Sequence, residues 1–222
     1  MPAIASLATT LMERSTFIPR GWHSRGYLPH FDGGEIAQTI TFRLADSLPK
    51  SVLNQWELEL AHLEQKKLDT EWRRRIEDYL DRGTGFAWMR NPRIAKLIQD
   101  ALLYFDGVRY KLPAWVVMPN HVHALLIPQA ENTLTDVVHS WKSFTSNQAN
   151  QLLGREGRFW QEDYFDRYIR HAQHYIDAID YIENNPVKAG LCARREDWSF
   201  SSARIRLRSH SIQCGQDARA PG

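Results

Sequence analysis

Two histidines, His121 and His123, stand two residues apart inside the apolar segment 115–127, WVVMPNHVHALLI. On a β-strand, residues i and i+2 project to the same face. Two neighbouring imidazoles can hold a metal ion, or they can be satisfied by hydrogen bonds at a strand edge, since histidine serves structural, catalytic and metal roles alike. A metal would need a third ligand from elsewhere in the chain. Tyr181 and Asn185 lie four residues apart in a helical pattern and so share one helix face. Asn185 can lend a carbonyl oxygen while Tyr181 projects at the metal. Because Asn185 precedes Pro186, and residues before proline avoid the α-region, it is expected at the helix terminus with its side chain turned toward a strand. The plain alternatives are a half-buried tyrosine on an amphipathic helix and an asparagine helix cap.

A tyrosine beside a metal suggests covalent catalysis. A phenol titrates near pH 10 and is a poor nucleophile until its proton leaves. With a cation polarising the phosphoryl oxygen, it can attack a phosphodiester. The products are a phosphotyrosine and a free 3′-hydroxyl. The bond energy is conserved, so the reaction can run backwards onto another DNA end, which suits strand transfer better than hydrolysis.

Rival motifs are absent. A three-histidine phosphate site would need histidine where Leu125 stands. A two-histidine phosphoesterase would need a second His-x-Thr/Ser element, and the segments starting at His139 and His171 have the wrong third residue. There is no His-Glu-x-x-His, Gly-rich phosphate loop or nucleophile-elbow serine.

The elements that must position these residues read as follows. Residues 1–25 lack a clear period and are expected to be flexible. The stretch Glu35 to Leu44 alternates and reads as a first strand after the turn at residues 32–34. Lys50 to Arg82 is helical in pattern, with Leu53, Trp56, Leu60 and Leu63 at spacings of three and four. A second helix is expected from Pro92 to Phe105. Two strands, Tyr110 to Met118 and His121 to Ile127, flank a Pro119-Asn120 hairpin signal. A helix spans Leu134 to Leu153, a fourth strand runs from Phe159 to Ile169, and a last helix runs from His174 to Asn184, stopped by Pro186. This order predicts an α+β, ferredoxin-like β-α-β-β-α-β core, with helices returning to one face of a four-stranded sheet. The helical stretch 50–105 is an extension between the first and second strands. The domain is expected over residues 26–205, with a disordered tail at 206–222.

Composition narrows the setting. A 43% hydrophobic and 24% charged chain of 222 residues is ordinary for a soluble domain. No apolar run reaches the roughly 18 residues of a membrane span. Two cysteines in no metal or redox spacing, and no basic residue before the apolar N-terminal run, point to the cytoplasm. The net charge of +2 does not announce nucleic acid, but arginines cluster locally and eight tryptophans accompany them. More than half of those tryptophans are expected in the core. Lys142, Arg167 and Arg170 are candidates for phosphate contacts, with plain surface charge the alternative.

Five segments resemble one family in order: WVVMPNHVHALL at 115–126, WKSFT at 141–145, RFWQEDYFDRYIR at 158–170, DYIENNPVKAGL at 180–191 and WSFSS at 198–202. Together they resemble the REP-associated tyrosine transposases, insertion-sequence-type members of the single-tyrosine HUH superfamily. The resemblance implies an HUH fold and a divalent metal, Mg2+ or Mn2+, held by His121, His123 and Asn185. It implies Tyr181 as the nucleophile and cleavage and joining of single-stranded DNA through a 5′-phosphotyrosine. It also implies palindromic repeat hairpins as substrates. Imidazole ligands favour transition metals over Mg2+, so manganese is expected to serve well and to bind weakly. A monomer would supply Tyr181 in cis, a homodimer with exchanged last helices in trans. Two other readings remain: a catalytically silent protein that binds structured nucleic acid, and an unrelated metallohydrolase using the two histidines.

Overall fold

In the computed structural model, residues 21–25 and 28–207 are described. A short hairpin opens it, β1 (Gly21–Arg25) paired antiparallel with β2 (Leu28–Asp32). The main sheet contains β3 (Gln38–Arg43), β4 (Tyr110–Val117), β5 (His121–Pro128) and β6 (Phe165–Tyr168). Its order is β4-β5-β3-β6, and every pair is antiparallel. Chain order and sheet order together give two interlocked split β-α-β units, the expected ferredoxin-like arrangement.

Five helices complete the fold: α1 (Lys50–Leu60), α2 (Gln65–Asp81), α3 (Pro92–Leu103), α4 (Leu134–Leu153) and α5 (Ala172–Lys188). Local chemistry sets their ends. Asn91 accepts the Arg93 N–H and Pro92 occupies the first helical turn of α3, where a missing donor costs nothing. Thr133 caps α4 by accepting the Asp136 N–H, and Gly154 closes it in the left-handed conformation at φ 60°.

Strand alternation then divides the core. Ile40 and Phe42 of β3, Trp115 and Val117 of β4, and Val122, Ala124 and Leu126 of β5 pack beneath α3 and α4. The opposite face carries Ala114, Val116, Leu125 and both histidines, and there α5 lays Ile179 and Ile182. The expectation that helices return to one face thus holds for α3 and α4 only. The small side chains Ala114 and Val116 leave room for α5 on the second face, and that is the face the histidines occupy. Trp115, Trp141 and Trp160 are fully buried, and Trp56, Trp72, Trp88 and Trp198 pack against core clusters, leaving Trp22 exposed.

Other boundaries differ from those expected. Gly21–Arg25 is a strand where a featureless segment was anticipated, and residues 1–20 and 208–222 lie outside the described residues. The tail expected from 206 begins inside a helical segment, 202–207. Of the stretch 50–105, only α1 and α2 are additions, since α3 belongs to the core. Most consequential, α5 does not stop before Pro186 but runs through it to Lys188. A proline inside a helix removes one N–H and crowds the preceding turn. Here the helix has only two residues left to run. The following turn restores the bonding: Ala189 N–H donates to Asn185 O, Gly190 N–H to Val187 O and Leu191 N–H to Pro186 O. Asn185 is therefore a helical residue, 1% exposed, and the helix is capped beyond it at Ala189.

Candidate active site

The register of β3 against β5 pairs Thr41 with His123 and Arg43 with His121. His121 and His123 both point from β5 to the α5 face and are almost wholly buried. Their Nε2 atoms face each other at 3.0 Å, and their rings meet edge to face. The Nδ1 atoms are engaged behind. The Asn120 side chain donates through Nδ2 to the Thr84 carbonyl at 3.0 Å, which leaves its Oδ1 to accept from His121 Nδ1 at 2.7 Å. That relay fixes the His121 tautomer, with the proton on Nδ1 and the lone pair on Nε2. Thr41 Oγ1 meets His123 Nδ1 at 2.7 Å.

Both imidazoles are held neutral. Burial pushes His121 well below its ordinary value, with His123 and Lys188 adding to the effect. Burial, then the Lys188 charge, pushes His123 down to about 3. Neutral imidazole is the metal-binding form.

From α5, Asn185 Nδ2 approaches His123 Nε2 at 3.3 Å, while its Oδ1 is buried with no hydrogen-bond partner. An orphaned acceptor beside two converging Nε2 atoms is a donor set that fits a divalent cation. A half-turn of the amide exchanges its oxygen and nitrogen. Among the described residues no cluster of three His, Cys, Asp or Glu side chains could hold a metal, so an amide oxygen is the complement to the histidines on offer.

Tyr181 stacks edge to face on His123 with ring centroids 5.6 Å apart, one turn before Asn185. Its hydroxyl is buried beside the Glu77 carboxylate and the Asn185 amide, with no partner in good hydrogen-bond geometry. Burial pushes the phenol well above its ordinary value, and the Glu77 and Asp81 carboxylates push it further. Those carboxylates come from α2. Burial also raises Glu77. Lys188, one helical turn after Asn184, reaches Asp81 at 2.9 Å and Asp78 at 3.9 Å, tying α5 to α2.

His123, Tyr181 and Thr41 open into a cleft of about 700 Å3. Arg74 and Glu77 of α2 form one wall, and Arg167 and Arg170 line another beside β6. Arg170 also lies over the Tyr168 ring, 5.4 Å from its centroid. Lys142 is outside the cleft. Its ammonium donates to the Glu162 carbonyl at 2.5 Å and sits over the Tyr164 ring, and burial pushes it down to about 8. Of the proposed site residues, the fold thus brings His121, His123, Tyr181 and Asn185 together, places Arg167 and Arg170 beside them and leaves Lys142 apart.

Sequence reasoning missed Asn120, Thr41, Glu77 and Lys188. Asn120 precedes the first histidine, and Thr41 has the strand parity of the site face, so both carried a local signal. Glu77 carried none, because only the packing of α2 on α5 brings it near.

A ferredoxin-like sheet with a His-x-His strand, crossed by a tyrosine-bearing helix, is the arrangement that the sequence resemblance implied. Comparison with known proteins agrees. The family model "Transposase IS200 like" matches residues 90–185, from the approach to α3 through Asn185. A REP-associated tyrosine transposase of Escherichia coli is 31% identical over 94 residues, 42% of this chain and 54% of that protein. A putative REP-associated tyrosine transposase of Haemophilus influenzae is 26% identical over 103 residues, 42% of this chain and 58% of that one. A solved structure of a REP-associated tyrosine transposase bound to a REP hairpin superposes with a TM-score of 0.52. That match has 18% identity and covers 83% of this chain and 86% of the other. The chain spans about half the length of the curated relatives it matches. The chain is thus similar to REP-associated tyrosine transposases, and its residues 90–185 match the IS200-like transposase model. α1 and α2 fall outside the family match. Among the described residues, no helix is long and apolar enough to cross a membrane.

Proposed function

We propose that the protein is a metal-dependent single-stranded DNA endonuclease and strand transferase, acting near repeat hairpins through a 5′-phosphotyrosine. The observation that carries this reading is the convergence of His121 Nε2, His123 Nε2 and the orphaned Asn185 Oδ1 beside the Tyr181 ring.

His121, His123 and Asn185 would hold Mg2+ or Mn2+. A bound divalent cation polarises the scissile phosphoryl group and stabilises the charge that develops in transfer. The residues of the chain supply the rest. Asn120 and Thr41 hold the imidazoles in place. Tyr181 Oη attacks phosphorus and forms the new O–P bond, while the P–O3′ bond breaks. The phenolic proton is lost and the leaving 3′-oxygen gains one, so the step is balanced. Its reversal, by attack of another 3′-hydroxyl on the phosphotyrosine, rejoins strands. Arg167, Arg170 and Arg74 around the cleft would meet phosphates. Tyr181 lies against His123 of its own chain, which supports a nucleophile supplied in cis. The partner is a single-stranded DNA hairpin of repeat type, in the cytoplasm.

The test is incubation with a labelled single-stranded hairpin oligonucleotide and Mn2+, read on a denaturing gel. The wild type should give a covalent protein–DNA band and a free 3′-hydroxyl fragment. Tyr181→Phe should lose both while still binding the hairpin. A denaturation-resistant band from Tyr181→Phe would move the nucleophile to another residue. Hairpin binding with no cleavage in Mg2+ or Mn2+ would favour a silent binding protein.

A further inference from the structure

The loop between α2 and α3 is built to display an aromatic pair. Gly83 and Gly85 adopt φ values of 68° and 83°, and Ala87 sits in the left-handed region at φ 48°, which is costly for a residue with a Cβ. A Cβ at Gly85 would lie 2.9 Å from the Asp46 carbonyl oxygen, so the loop runs hard against the β3–α1 connection. It is fastened on both sides. Phe86 N–H donates to Asp46 Oδ2 at 2.7 Å, Thr84 Oγ1 to the Ser47 carbonyl at 2.7 Å, and Met89 N–H to the Pro119 carbonyl at 3.1 Å.

This strained, pinned backbone drives Ala87 and Met89 inward and leaves Phe86 outside, 72% exposed. The Phe86 ring stacks on Trp88, with centroids 4.9 Å apart and planes 20° from parallel. The Arg155 guanidinium lies over the Trp88 ring at 5.8 Å and over Phe159 at 5.9 Å. Arg155 is held by the Asn150 amide oxygen and the Arg158 carbonyl, and among the described residues it pairs with no carboxylate. Arg90, exposed, stands beside Gly83. The Asp46 carboxylate beside the loop is turned to the Phe86 N–H.

We propose that Phe86 and Trp88, flanked by Arg155 and Arg90, form a stacking subsite for an unpaired base of single-stranded DNA outside the cleft, where Trp88 packs on the α3 and α4 side of the sheet. An exposed aromatic face beside uncompensated arginines matches the two faces of a nucleotide, its flat base and its anionic phosphate. The loop is tied to the histidine strand: its Thr84 carbonyl holds Asn120, which holds His121. The inference rests on the reading of the protein as a single-strand DNA enzyme, and it adds a site that the cleft itself does not contain.

Binding of a labelled, unstructured oligo(dT) to the full chain in EDTA tests it, because no cleavage step enters. Phe86→Ala should weaken oligo(dT) binding by roughly tenfold, the range of one lost base stack. Phe86→Tyr should bind as the wild type does, and Phe86→Leu should be as weak as Ala. Arg90→Ala should lower the salt dependence by about one ion. Because Phe86 is exposed, the thermal midpoint should not move, so a folding defect is separable. No oligo(dT) binding by the wild type, or unaltered binding by Phe86→Ala, overturns the proposal. Wild-type affinity in Phe86→Leu would mark an apolar protein contact and overturn it equally. A wild type that forms no covalent DNA adduct but keeps Phe86-dependent binding would sink only the catalytic reading.

Discussion

Two buried histidine sites in this molecule face opposite fates. His30, on β2, is 1% exposed and sits between two carboxylates, Asp163 at 2.8 Å from Nε2 and Asp166 at 2.5 Å from Nδ1. Burial pulls its titration down, but the hydrogen bonds and charges of Asp163 and Asp166 outweigh it and raise His30 to about 9. It is an imidazolium, and it latches the N-terminal hairpin to β6 and the segment before it. His121 and His123 are buried as deeply, but amide and hydroxyl oxygens stand behind them and Lys188 is the nearby charge. They stay neutral, with their Nε2 atoms converging. Burial therefore does not decide what a histidine does here. The counter-charge decides: a carboxylate on each nitrogen makes a latch, and a neutral oxygen behind each ring leaves a ligand in front.

That contrast can be broken in a graded series. Replacing His121 or His123 with Ala removes half of the imidazole donor set, and cleavage of a single-stranded hairpin should fall by roughly a thousandfold or more. Thermal stability should change little beside that loss. Residual cleavage within tenfold of wild type in both variants would return the pair to a structural role.

His30→Ala should do the reverse, sparing the proposed metal site and costing about 3–5 kcal/mol of stability, because it strands two buried carboxylates. The sign of its pH dependence follows from the raised value. The stabilisation is complete below the ordinary value of 6.5 and disappears as the pH rises through about 9. Chemical denaturation at a series of pH values should show the wild type and His30→Ala converging toward the alkaline end. Parallel curves across that range would contradict the latch.

Asn120→Ala should sit between these extremes. It frees the His121 Nδ1 and the tautomer it fixes, and should weaken Mn2+ binding by roughly 10–100-fold with the fold intact. The smallest effect is expected of Glu77→Gln. Removing that carboxylate takes away a charge that holds the Tyr181 phenol high, so the ascending limb of the cleavage pH profile should move to lower pH. A movement to higher pH would mean that Glu77 assists loss of the proton.

The sequence carried the functional pattern further than it carried the latch. His121 and His123 were legible because strand alternation is strict, and Tyr181 and Asn185 because helical spacing is. The ferredoxin-like order followed from alternating strand and helix periods. Pro186 misled, since the local rule that proline ends a helix yields when only a half-turn remains and the backbone bonds are recovered beyond it. His30, Asp163 and Asp166 gave no sign, because more than 130 residues separate the latch from its carboxylates. Glu77 was hidden for the same reason, and the placement of α5 on the face opposite α3 and α4 depended on which strand residues were small.

The most direct test of the central claim is Mn2+ binding to the full chain, followed by the electron paramagnetic resonance of the free ion. The wild type and His30→Ala should each bind one ion, and the double variant His121→Ala/His123→Ala should bind none. An ion retained by the double variant, or lost with His30, would contradict the assignment of the β5 pair as the metal site.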